Sequence, residues 1–216
     1  MLALGGDSVY YPRMRRILAH YKDTAYGYGW VSILLHWVAA GAIVGIWFVG
    51  DSIAAADTAN RDSMLHRHTT MALVSYIVLV LRVAWRAKHG HPRRLPMQGR
   101  IGFVLGKWLH YGLLVGVLVM LISGPLLAWS GGLPLRLLEW TIAAPFDASA
   151  ATFAWMHRIH ASTAALLMLG VLLHVGAVLA HLPLPKDPTF ERMIIPAAHA
   201  AATRDPGGSG NTAESG

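Results

Sequence analysis

Between Ile159 and Pro185 the chain contains no Asp, Glu, Lys or Arg. A helix of that length exceeds the hydrocarbon core of a bilayer, about 30 Å thick, so the stretch is read as a membrane span. It nevertheless carries His160, His174 and His181. Fourteen helical residues bring a side chain back to within about 40° of the same face, about 21 Å further along the axis. His160 and His174 therefore put an imidazole near each end of one face. Polar side chains inside a membrane helix usually face the bundle interior and carry function, and neutral imidazole is a good metal ligand. The pattern points to two metal centres stacked across the membrane, each completed by a histidine from another helix.

The remainder of the chain has the matching parts. With 55% apolar and 13% charged residues and a mean hydropathy of +0.45, it reads as an integral membrane protein of one domain. The expected fold is an all-α bundle of four transmembrane helices, with spans at about 29–50, 64–86, 105–129 and 155–182. Residues 1–28 form a basic arm, 183–196 an interfacial segment, and 197–216 a tail whose composition predicts disorder. An uncharged run from Gly29 to Gly50 is too long for a signal peptide. Loops are expected at about 51–63, 87–106 and 130–153, and Ser123-Gly124-Pro125 is expected to loosen or kink span III.

Charge sets the expected orientation. Of the 18 Lys and Arg residues, 14 fall in the arm, the 82–107 segment and the region after 182, and 4 fall on the other side. The positive-inside rule then places both termini in the cytoplasm. The net charge of +7 is read as this orientation signal and not as a nucleic-acid surface. Depth now pairs the histidines: His36 with His174 near the inner face, and His68 with His160 near the outer face.

The absence of cysteine excludes thiolate-held clusters and covalent haem attachment. Zinc prefers three or four close protein ligands, and a di-iron site needs buried carboxylates that these spans lack. Haem needs only two axial imidazoles. Small residues such as Ala39, Ala40, Gly41, Gly45, Gly170 and Gly176 leave room for a flat ring. Arg82 lies fourteen residues after His68, deep in span II, where a haem propionate at the inner end is a suitable partner; Arg86 is expected to snorkel to the inner surface.

Several motifs resemble the bacterial cytochrome b561 family over about residues 28–196. They are Leu35-His36-Trp37 in span I, Arg82 and Arg86 at R-x-x-x-R spacing, the register His160, His174, His181, and a closing stretch with Lys186, Asp187, Arg192 and Met193. The resemblance implies a four-helix inner-membrane protein with two b-type haems on His36, His68, His160 and His174. His110 in span III also has a counterpart in the family. Quinone chemistry is implied too, ubiquinone or another quinone being the substrate, with some members described as oxidising superoxide at the outer face. An outer rim of Arg158, His157, Arg67 and His66 suits attraction of a small anion. His181 and Lys186 suit hydrogen bonding to a quinone carbonyl and proton supply. Two other readings stay open: a cytochrome b anchor passing electrons between quinone and a separate dehydrogenase or hydrogenase as protein partner, and a transporter or sensor using histidines as proton relays.

Overall fold

The computed structural model describes residues 22–25, 27–94, 99–137, 140–181 and 193–196. Its helices are α1 (Trp30–Ala55), α2 (Thr58–His89), α3 (Arg100–Ser130) and α4 (Ala150–His181), with a short antiparallel pair, β1 (Leu135–Leu137) and β2 (Trp140–Ile142), between the last two. All four helices are long and apolar enough to cross a membrane. In the most apolar stretch of α4 only 6% of residues are buried, so its Leu166 and Leu172, both more than half exposed, are left to face lipid.

Each helix overruns the span expected from hydropathy, and local chemistry explains where each one stops. The acidic 51–63 segment is mostly helix and not a loop. Its break is confined to Ala56 and Asp57, where the Asp57 carboxylate accepts the Asn60 N–H at 2.9 Å and so caps α2, the strongest kind of N-terminal signal. At the other end Gly90, with φ +64°, closes α2 by donating its N–H to the Arg86 carbonyl, a backbone state that glycine reaches without strain. Arg86 does not snorkel. It is 4% exposed, donates to the Gly90 carbonyl and lies over the Tyr28 ring at 4.8 Å. The freed carbonyl at the helix end attracts it more than the surface does. Ser149 starts α4 five residues early, its Oγ accepting from Thr152 N.

Helices α1 and α2 form one tightly packed hairpin and α3 and α4 another, while α1 touches α4 only sparingly. Glycines let the second hairpin close: a Cβ on Gly170 would fall 2.9 Å from Leu113, and one on Gly116 would fall 3.0 Å from Leu167. Pro125 has no N–H for the Leu121 carbonyl one turn earlier. The Tyr76 hydroxyl of α2 donates to that carbonyl instead, at 3.3 Å, so the proline site in α3 becomes a tie between the two hairpins. A small core of Ala39, Leu79, Val117, Leu121 and Leu167 fills the middle of the bundle.

The chain ahead of α1 is clasped to the bundle. Asp23 accepts from Gly29 N at 2.9 Å and from the Ser32 hydroxyl at 2.8 Å, and Ser32 Oγ in turn accepts from Trp85 Nε1 at 2.8 Å. Ser32 is completely buried. Replacing Ser32 with Ala takes this acceptor from Trp85 Nε1 and this donor from Asp23 Oδ2, and unfolding in detergent is expected to show a loss of about 1–3 kcal/mol; unchanged stability would mean the clasp contributes nothing.

Candidate metal centres

Helix α4 contributes one histidine to each of two ring pairs. Near its start, His160 lies opposite His68 of α2, with ring centroids 6.3 Å apart and planes at 84°. Near its end, His174 lies opposite His36 of α1, with centroids 6.1 Å apart and planes at 74°. Leu167, midway between them on the same face of α4, is buried in the central core. The pairs therefore flank an apolar plug. We call the His36–His174 end, which also holds the α2–α3 connection, the terminal face, and the other the hairpin face.

The spacing is informative. Two imidazoles on opposite sides of one metal, each bonded at about 2 Å, hold their ring centres about 6 Å apart. Both pairs meet that distance. His110 comes nearer to His174, at 4.8 Å, which is too close for an atom between the rings. Its Nδ1–H is already donated to the Gly106 carbonyl at 2.6 Å. It packs edge-on against the pair and is not a third partner. His91, just past α2, lies 5.4 Å from His110. Burial, and after it Arg86, push the pKa of His91 down to about 4, so its ring is neutral at physiological pH.

Each ring is oriented by a second partner. The His68 Nδ1–H donates to the Ile46 carbonyl at 3.1 Å, and Gly50 leaves the space beside it: a Cβ there would lie 2.9 Å from the ring. His160 Nδ1 lies 3.0 Å from Ser123 Oγ, with Gly124 beside the same ring, where a Cβ would lie 3.5 Å from Cε1. The Ser123-Gly124-Pro125 motif thus forms the cradle of His160. On the terminal face Arg82 Nη2 lies 3.3 Å from His36 Nδ1. Arg82 Nη1 is buried and has no hydrogen-bond partner among the described residues. An unsatisfied guanidinium nitrogen beside a ring pair fits a carboxylate. Sequence reasoning placed Arg82 here but missed Ser123, Gly50 and the Ile46 carbonyl, whose roles depend on which helix lies opposite.

The other expected site residues are less closely joined. His157 is exposed and stacks on Phe153 at 6.1 Å, and Arg158 lies over Trp155 at 5.9 Å. His66 and Arg67 are exposed on α2. Among the described residues no hydrogen bond or ring contact ties them to His157 or Arg158. His181 is the last residue of α4; its side chain and Lys186 lie outside the described residues. Met193, from the closing motif, returns to α1 and accepts the Trp37 indole N–H at 2.9 Å.

Among the described residues no three or more His, Cys, Asp or Glu side chains are grouped to hold a metal ion. The donor set is two imidazoles per site, with small residues beside each ring and an unspent guanidinium next to one pair. That set suits a macrocycle that brings its own equatorial nitrogens and needs only axial ligands.

Comparison with known proteins agrees with this. The prokaryotic cytochrome b561 family matches residues 27–195, which spans all four helices and both ring pairs. Cytochrome b561 homolog 2 of Escherichia coli (strain K12) is 24% identical over 179 residues, covering 81% of this chain and 94% of its own length. The family implies b-type haem and, with four apolar helices, a multi-pass place in the inner membrane. The chain belongs to the prokaryotic cytochrome b561 family, as a membrane cytochrome b.

Proposed function

We propose that this protein is a di-haem b-type cytochrome that transfers electrons across the inner membrane, from superoxide at the outer face to a quinone. The observation that carries the reading is the pair of ring separations, 6.1 and 6.3 Å, at two levels of one bundle. His36 and His174 would hold one haem and His68 and His160 the other, and Arg82 would meet a propionate. Bis-imidazole haem supplies reversible one-electron exchange. The protein's part is to fix the axial rings, keep water from the core with Leu167 and its neighbours, and set the spacing of the two levels. The count of basic residues supports placing the terminal face in the cytoplasm.

On this reading the hairpin face meets superoxide. Arg158 and His157, with Arg67 and His66, supply exposed basic groups that steer a small anion. Each superoxide gives up one electron and leaves as dioxygen. A quinone takes two electrons and two protons, so two superoxide ions are consumed per quinol formed. His181 and Lys186, close to the end of α4 in the chain, are the proposed contacts for the quinone carbonyl and its protons.

Stopped-flow spectroscopy of the purified protein tests this. Superoxide alone should reduce the haems without a partner protein, and added ubiquinone should reoxidise them. Arg158→Gln should slow the first phase by about threefold or more, and more at low salt than at high, as for an electrostatic on-rate. Haems that stay oxidised until a dehydrogenase or hydrogenase subunit is added would assign the protein as an anchor instead. A preparation with no reducible b-type spectrum would rule out both.

A further inference from the structure

The β1–β2 pair carries an apolar surface that the described residues leave open. From Trp140 to Phe146 every residue is exposed and none is charged. Trp140 is 76% exposed and Ile142 47%. A contiguous apolar patch of this kind marks a contact surface.

The register of the pair says which way that surface faces. Leu135 lies opposite Ile142, Arg136 opposite Thr141, and Leu137 opposite Trp140. Directly opposed residues share a face of the pair, and successive residues alternate between faces. Leu135, Leu137, Trp140 and Ile142 therefore form one face, and Arg136 with Thr141 forms the other. Leu135 is buried, and β1 lies against α2 and α3. The face that Leu135 turns to the bundle thus continues across β2 without cover. Two strands of three residues are marginal by themselves in water, so the overhanging strand needs something apolar beneath it.

The surface next to it faces lipid. Trp155 precedes Leu166 by eleven residues, which places the two within about 20° of each other around α4. Both are more than half exposed. The lipid-facing stripe of α4 therefore ends in a tryptophan at the hairpin face, and tryptophan favours the boundary where a membrane meets water. The β1–β2 pair joins the bundle at this same end. Its open face continues the lipid-facing surface of the spans, while Arg136, exposed on the opposite face, stays on the side of water and phosphate.

We propose that the β1–β2 pair is an interfacial anchor, with Trp140 and Ile142 seated in the phospholipid of the leaflet at the hairpin face. This rests on the four spans and not on the di-haem reading. Through β1 the anchor holds the adjoining parts of α2 and α3 at the level of the headgroups.

The chain has no cysteine, so an introduced thiol is the only site for a nitroxide label. Ile142→Cys and Thr141→Cys, labelled and placed in nanodiscs of phosphatidylethanolamine and phosphatidylglycerol, are compared by power saturation with oxygen, which enters lipid, and with a water-soluble nickel chelate. The ratio of oxygen to chelate access should be severalfold higher at 142 than at 141. Trp140→Cys and Arg136→Cys repeat the comparison at the neighbouring positions of each face, so a single variant that loses its helical content by circular dichroism does not remove the test. Equal ratios on the two faces would leave the pair standing in water and overturn the proposal. A label at 142 shielded from both reagents would overturn it too, because a second copy or another protein would then cover the face.

Discussion

If the chain holds two haems as proposed, the His160→Ala variant should purify with one in place of two, and the one that remains should be at His36 and His174. His160 is the hairpin-face half of a ring pair 6.3 Å apart. Alanine leaves His68 without a ring opposite and Ser123 Oγ without its contact. The other pair lies fourteen residues along α4, about 21 Å away at the rise of an α-helix, and is separated from this one by buried Leu167. Sites that far apart with no shared partner respond independently. Haem per chain, measured from the pyridine complex, should fall by half, and the helical content by circular dichroism should not change. If both haems were lost while the helices remained, the two sites could not be independent.

Gly50→Val should weaken the same haem without touching a ligand. A Cβ at Gly50 would come 2.9 Å from His68 Cε1 and 3.0 Å from its Nδ1, closer than packed atoms approach, and valine adds two methyl groups to that clash. The His68 ring has little freedom to move aside, because its Nδ1 is tied to the Ile46 carbonyl on the same helix as Gly50. Groups that orient a metal-bound histidine typically change affinity by about 10–100-fold when altered. Transfer of haem to apomyoglobin should therefore accelerate by a comparable factor for one haem of the two. Gly102→Ala is the control: nothing lies within 4 Å of a Cβ there, and haem retention should match the wild type. Equal retention in Gly50→Val would mean that His68 is not held where the structure has it.

Sequence patterns carried the architecture further than the site. The charge-free runs and the fourteen-residue interval from His160 to His174 depend only on composition and helical period, and those signals survive without tertiary information. Depth then selected the same four rings that the structure brings together. The helix ends were less legible: Asp51, Asp57 and Asp62 look like a solvated loop, yet Asp57 caps α2 and the other two lie within helices. Arg86 looked like a surface cation, but the position of Tyr28 and the turn at Gly90 make burial the better solution. The β1–β2 pair was missed because three-residue strands give too short a period to register. Ser123 and Gly50 could be found only by knowing which imidazole faces them. Ser123-Gly124-Pro125 stood out as a kink, and its second role follows from the helix packed beside it.

Haem content of double variants measures the pairing of the four histidines directly. His36→Ala combined with His174→Ala should leave one haem per chain, as should His68→Ala combined with His160→Ala, since each double removes a single site. His36→Ala combined with His160→Ala damages both sites and should leave none. One haem retained in that last chain, or none in either of the first two, would contradict the pairing.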